Sequence, residues 1–212
     1  MTTPSFIDKH GLWTDDQKRR AEELKLFLEK DKLQFVRIAW ADPHGASRAQ
    51  AVTVPAFLAA LTAGYNINVA TTTLDSANAR TFSSFTRGGG MGLPEMTGSP
   101  NLVIVPDPST FRVLPWAPGV GWVLGWILAD EYFNTGVPFH FSPRHLLRKQ
   151  LARLKERNWN LVVGLEVEWY LMRVVQGELN DDNIGAPGLR GAPIKTAPIE
   201  PGYSYHSESN MD

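Results

Sequence analysis

Glu166 and Glu168 stand two residues apart in the stretch GLEVEWYL, residues 164–171. Around them Leu161, Val163, Leu165, Val167, Trp169 and Leu171 form an apolar row at period two. The pattern predicts a strand with both carboxylates on its other face, beside Val162, Gly164 and Tyr170. At a rise of about 3.3 Å per residue their Cβ atoms lie roughly 7 Å apart. Like charges at that spacing destabilise a strand unless something solvates or neutralises them. An exposed sheet face would solvate them. An enclosed face, which the small and apolar neighbours favour, needs cations, because an unpaired buried carboxylate is costly. Oxygen-only ligands then point to Mg²⁺ or Mn²⁺ rather than zinc. A glycosidase-type acid and base is a further use of two carboxylates, although such pairs usually face each other across a cleft.

Other residue types offer less. RGGGMG (87–92) lacks the lysine and hydroxyl of a phosphate loop and opens no helix, so a flexible loop is expected. The five histidines, His10, His44, His140, His145 and His206, are scattered. Pro143 starts a helix between His140 and His145, which separates the two that approach ligand spacing and leaves surface or capping roles. No Ser/His/Asp arrangement emerges from spacing. There is no cysteine, which removes disulfides, thiolate zinc sites and cysteine nucleophiles and suits a reducing cytoplasm. A net charge of −1 supplies no basic footprint for nucleic acid or an anionic membrane. Asp8, Lys9 and His10 interrupt the N-terminus where a signal peptide would be apolar, and the longest apolar run, 120–129, is half a bilayer span. A cytoplasmic protein is expected.

The elements that must position these residues can be read in order. With 212 residues, 43% apolar and 20% charged, the chain can bury a core of one large or two small domains. Thr14 and Gln17 have capping-box spacing ahead of the stripe Ala21, Leu24, Leu28, which predicts a helix to about Lys30. Phe35 to Trp40 and Ala49 to Val54 read as strands around the turn ADPHGAS. Pro55 opens a short helix that Gly64 should end in the left-handed conformation, and a strand follows over 65–72. Residues 75–100 read as a long mobile loop. NLVIVPD (101–107) and VGWVLGWILAD (120–130) read as strands, the second central because it is apolar on both faces. In 142–158 Ser142 should cap a helix that Pro143 opens and that buries Leu146, Leu147, Leu151 and Leu154. After about Arg173 the periodicity stops, and the chain looks cut off.

Four stretches, in order, resemble the glutamine synthetase family from roughly Phe35 to Tyr205. VRIAWADPHGASRAQAVTVPAF is similar to its first hairpin and helix, and GSPNLVIVPDPSTFRVLPW to its PD-x-ST stretch. FSPRHLLRKQLARL resembles its helix entering the catalytic domain, and GLEVEWYL its G-x-E-x-E-aromatic strand. The resemblance implies an α+β chain with an N-terminal arm and helix over 1–30 and a β-grasp domain over 31–137. Residues 138–212 would be the truncated start of a catalytic domain built on a curved antiparallel sheet. It implies phosphorylation of the glutamate γ-carboxylate by ATP, followed by displacement of phosphate by ammonia or an amine. Glu166 and Glu168 would each bind a cation in one of two adjacent Mg²⁺ or Mn²⁺ sites. The remaining ligands and ATP contacts would lie beyond residue 212, so no catalytic residue is assigned and the chain alone should be inactive. Asn68 and Asn101 align with two aspartates of true glutamine synthetases, one of which helps bind ammonium. Their neutrality suits a bulkier amine, as in the γ-glutamyl-polyamine and γ-glutamyl-amide ligases. The family's dodecamers imply a homo-oligomer for the whole protein. A non-catalytic interaction module is the competing expectation.

Overall fold

The computed structural model describes residues 4–30, 33–76, 79–116, 124–169, 171–185 and 191–199. They belong to two compact units, Met1–Asp75 with Arg80–Asn160 and Ser76–Ala79 with Leu161–Asp212.

In the first unit, helix α1 (Phe6–His10) is capped by the Ser5 hydroxyl. Helix α2 (Asp15–Lys30) follows and begins with the predicted box. The Gln17 N–H donates to Thr14 Oγ1 at 3.3 Å, and the Thr14 N–H donates to Gln17 Oε1 at 3.0 Å. Ala21, Leu24 and Leu28 are its buried face. Strands β1 (Phe35–Ala41) and β2 (Ser47–Thr53) form a hairpin, with Phe35 opposite Thr53 and Ala41 opposite Ser47. Asp42 holds the turn, its carboxylate accepting from the His44 and Ala46 N–H groups and from Arg48.

Helix α3 (Val54–Ala63) stops at Gly64, whose φ is 73° and ψ 179°. The positive φ was expected; the extended ψ, outside the left-handed helical region, was not. A Cβ at Gly64 would also run into Val103 Cγ1, so the close approach of α3 to the sheet demands glycine as well. Strand β3 (Tyr65–Asn68) is shorter than predicted, because Asn68 caps a 3₁₀ turn over Val69–Thr72. Strands β4 (Asn101–Pro106), β5 (Arg112–Val113) and β6 (Leu124–Tyr132) and helix α4 (Pro143–Lys155) complete the unit. The start of the predicted strand at 120–123 lies outside the described residues.

The sheet order is β2-β1-β6-β4-β3, with β5 also paired to β6. Among the described strands only β1 and β6 run parallel. The chain is therefore mixed α/β around a mixed, mostly antiparallel sheet with β6 central. The main core joins Phe57, Ala60 and Leu61 of α3 to Val36, Ile38, Leu102, Ile104 and Ile127 of the sheet. Each such large side chain contributes about 1.5–3 kcal/mol by leaving water. A second cluster puts Ile7 of α1 with Val103, Val105 and Tyr132, residues that alternate out of the main core.

Helix α4 departs from its prediction. The Ser142 side chain makes no capping hydrogen bond, and none of the helix residues is buried. Leu146, Leu147 and Leu151 are 59%, 52% and 39% exposed. The helix is held instead by its arginines and His145, whose ion pairs and hydrogen bonds to Asp107, just past β4, and to β6 need the charged side turned inward.

The second unit contains an antiparallel pair, β7 (Met172–Val174) with β8 (Thr196–Pro198), and the short helix α5 (Asp181–Ile184). Residues 161–169 do not form the predicted strand. Val162 is 93% and Leu165 90% exposed. A strand needs a neighbour for its backbone N–H and C=O groups, and the described residues supply none for this segment.

Candidate functional site

The register of β3 on β4 brings Asn68 directly opposite Asn101. The two positions singled out by sequence are thus cross-strand neighbours at one end of the sheet. Asn68 is firmly held. Its Oδ1 accepts from the Ala70 N–H at 2.9 Å and from the Ser99 hydroxyl at 2.8 Å, and its Nδ2 donates to the Ser99 carbonyl at 2.8 Å. An aspartate could accept the first two bonds but not donate the third, and would set a negative charge against a carbonyl oxygen.

Beyond Asn68 the chain turns through the segment expected to be a mobile loop. It is irregular but well tied. The Gly90 N–H donates to the Ser83 carbonyl at 3.0 Å, the Gly98 N–H to the Ser84 carbonyl at 2.9 Å, and the Thr81 hydroxyl to the Thr73 carbonyl at 2.7 Å. Met96 is fully buried, and His140 Nε2 lies 2.7 Å from Glu95 Oε1. The glycines of RGGGMG allow this: Gly90 has φ of 71°, and a Cβ there would lie 2.5 Å from the Met96 carbonyl carbon. Between this segment and Asn68 is a half-open cavity of about 520 Å³, bounded by Asn68, Leu74, Arg80, Phe82, Phe85 and Ser99 among others. No described lining residue carries a carboxylate.

A second polar cluster, which the sequence reading missed, joins the ends of β4 and β6 to α4. Arg144 lies 2.8 Å from Asp107 and 2.9 Å from Asp130, and Arg148 lies 3.3 Å and 2.5 Å from the same two carboxylates. Burial works to raise the Asp107 carboxyl. Hydrogen bonds from Ser109 and Gln17 and the charge of Arg144 outweigh it and hold the group below the usual carboxylate range. Among the described residues no cation pairs with Glu131. It continues the core face of Ile127 and Ala129, is 2% exposed, and its Oε1 has no hydrogen-bond partner among the described residues. Burial pushes its pKa up to about 7; the Ser142 hydroxyl opposes this, and the charges of Asp130 and Asp42 add to it. The acids at the end of the apolar stretch ILADEY signalled Glu131 in the sequence. Nothing in the spacing signalled its neighbours from α4.

Glu166 and Glu168 lie in the second unit, both exposed. Among the described residues no three His, Cys, Asp or Glu side chains gather as a metal site. Two carboxylates two residues apart fit part of an oxygen ligand set for a hard cation, which takes about six ligands, so they could hold one only with further donors. Among the described residues no helix is long and apolar enough to cross a membrane.

No protein-family model matches the chain. Over 210 residues, 98% of the chain, it is 37% identical to the gamma-glutamylanilide synthase of an Acinetobacter species, of which that alignment covers 41%. It is 26% identical to the glutamate–methylamine ligase of Methyloversatilis universalis over 157 residues, 74% of the chain and 30% of the relative. A 68-residue stretch, 32% of the chain, is 40% identical to 15% of the glutamine synthetase of Methanosarcina mazei. The chain thus spans about two-fifths or less of the curated relatives it matches. The similarity runs along nearly all of the chain and reaches both amine-specific ligases and glutamine synthetase itself, so the chain belongs to the glutamine synthetase family.

Proposed function

We propose that this chain is part of an ATP-dependent ligase that joins a substituted amine to the γ-carboxylate of glutamate. The observation that carries this reading is the Asn68–Asn101 pair, an uncharged couple where the family resemblance puts two aspartates. Similarity to relatives named for an anilide product and for methylamine supports it. A carboxylate attracts a small ammonium ion by charge, and two amides do not. A substituted amine can be held instead by the contacts of its substituent.

The reaction has two steps. A γ-carboxylate oxygen of glutamate attacks the terminal phosphorus of ATP, giving γ-glutamyl phosphate and ADP. The amine nitrogen then attacks the acyl carbon, the carbon–oxygen bond to phosphate breaks, and the nitrogen loses a proton. Glu166 and Glu168 would hold Mg²⁺ or Mn²⁺, which when bound neutralises charge on the phosphoryl oxygens. Within this chain Asn68 holds the turn beside the proposed amine approach, and the tied segment 79–99 walls it.

The sheet order, with its parallel central pair β1–β6 and α3 packed across one face, supports assigning a β-grasp domain to 31–137. Residues 1–30 would be an arm and helix, and 138–212 the beginning of the catalytic domain. The whole protein would be a cytoplasmic homo-oligomer of the dodecameric kind. The test is Glu166→Gln in the complete polypeptide that carries this chain. Loss of Mg²⁺- or Mn²⁺-dependent γ-glutamyl amide formation is expected. Unchanged turnover would show that Glu166 holds no essential cation, and absence of turnover in the parent would leave a non-catalytic interaction module.

A further inference from the structure

Glu131 interrupts the apolar face of β6, and its backbone is pinned from two sides. Its carbonyl accepts from the Phe139 N–H at 2.9 Å and from His145 Nε2 at 2.9 Å. Strand β6 itself is fixed between β1 and β4, with Ile104 directly across from Glu131. The strand therefore cannot turn the carboxyl out to solvent. Phe139 is buried in the main core, which fixes the near end of the segment that follows. Ser142 is buried beside the carboxyl; it holds the N-cap position of α4, yet its hydroxyl caps nothing. Glu131 Oε1 and Ser142 Oγ both lack a properly formed hydrogen bond among the described residues.

A neutral carboxyl is stable in this setting, and a charged one is not. Asp130 on the same strand and Asp42 at the end of β1 both oppose its ionisation. The nearby cations are committed to other acids: Arg48 pairs with Asp42, and Arg144 and Arg148 with Asp107 and Asp130. His145 gives its Nε2 proton to the Glu131 carbonyl, and burial holds the ring toward its neutral form. That leaves the Ser142 hydroxyl, one donor for a carboxylate that accepts several hydrogen bonds. A buried carboxylate so poorly supplied is costly, and water is the ligand that can complete it. With β6 and Phe139 fixed, the part that can yield is the Ser142–His145 turn. There α4 begins without a capping bond and with none of its own residues buried.

We propose that Glu131 is a proton-operated latch on the Ser142–His145 turn: the turn closes over the protonated carboxyl and opens to admit water when the proton leaves to solvent. The latch is independent of the amine-ligase reading. Its sign follows from the two states. Closed, the carboxyl is pushed up to about 7 by burial; open, it returns toward the ordinary 4.5. Between those values the open form releases a proton that the closed form keeps, so opening gains with rising pH and levels off above 7.

The experiment follows hydrogen exchange of the Ser142 and Leu146 amides, which donate to the Phe139 and Ser142 carbonyls, in the complete polypeptide by fragmentation mass spectrometry. From pH 5 to pH 7 their exchange should rise about tenfold or more beyond the chemical rate, then run parallel to it up to pH 8. Dilute urea should leave it unchanged, because a local opening exposes little surface. Glu131→Gln should abolish the extra rise, and Glu131→Leu, which suits the apolar face of β6, gives the same reading with no polar group at all. An equal rise in parent and variants, no rise in the parent, or exchange at these amides that grows with urea as global unfolding does would each overturn the latch.

Discussion

Glu131 puts a carboxyl where the alternation of β6 calls for a core side chain, with Asp130 and Asp42 near enough to oppose its ionisation. Its folded pKa, about 7, lies above the ordinary 4.5, and this fixes the sign of its effect. Below pH 4.5 the group is neutral in both folded and unfolded chains. As pH rises toward 7 the unfolded chain releases the proton that the folded chain keeps, so stability is lost across that window. Glu131→Gln removes the titration and keeps a neutral side chain of the same shape. Urea denaturation should find the variant close to the parent at pH 4 and more stable by up to about 3 kcal/mol at pH 8. A difference independent of pH would mean that Glu131 ionises normally. Asn68 shows the other use of a polar residue at this scale. Its three hydrogen bonds fix the 3₁₀ turn and Ser99, so the amide is structural even before any ligand is considered.

At the scale of elements, α4 shows how ion pairs can override an apolar stripe. Its leucines would bury apolar area against any available surface, yet Arg144 and Arg148 bridge Asp107 and Asp130, whose side chains are 6% exposed. Leaving either carboxylate unpaired in that position costs more than leaving the leucines in water. Arg148 still reaches both carboxylates without Arg144, so Arg144→Met should destabilise the first unit by about 1.5–3 kcal/mol, the worth of hydrogen bonds to charged groups, and loosen amide protection in α4. Arg144→Lys should recover part of that loss, because one ammonium cannot span both carboxylates as the guanidinium does. Thermal unfolding with hydrogen exchange measures both effects; equal stability of parent and Arg144→Met would mean that the bridge is not what holds α4. Elements fixed by local chemistry were legible in the sequence. The Thr14–Gln17 box, the stripe of α2, the β1–β2 hairpin and the Pro55 start of α3 needed only neighbouring residues.

For the molecule as a whole, Leu146, Leu147 and Leu151 of α4 and the apolar residues of 161–169 lie open to solvent in this chain. Exposure of several large apolar side chains within each segment marks surfaces that other protein covers. The 212-residue chain alone should therefore self-associate, with a light-scattering mass that rises above 23.6 kDa as concentration increases, and Leu147→Lys with Leu151→Lys should reduce that rise. A constant monomer mass would contradict it. The sequence by itself determined the periodic elements, the placement of Glu166 and Glu168 at alternate positions, the amide residues Asn68 and Asn101, and a family. The periodic elements and the alternate glutamates rest on spacing of two to four residues along one backbone, which local geometry governs, and the amide positions and the family on the resemblance of four stretches. Only the tertiary structure decided that Asn68 faces Asn101, that the glycine-rich segment is tied into one wall of a cavity, and that α4 turns its arginines inward. It also decided that 161–169 has no strand partner among the described residues. Each of these depends on groups far apart in the chain, because cross-strand register, buried ion pairs and the supply of a strand partner are settled by which distant residues meet.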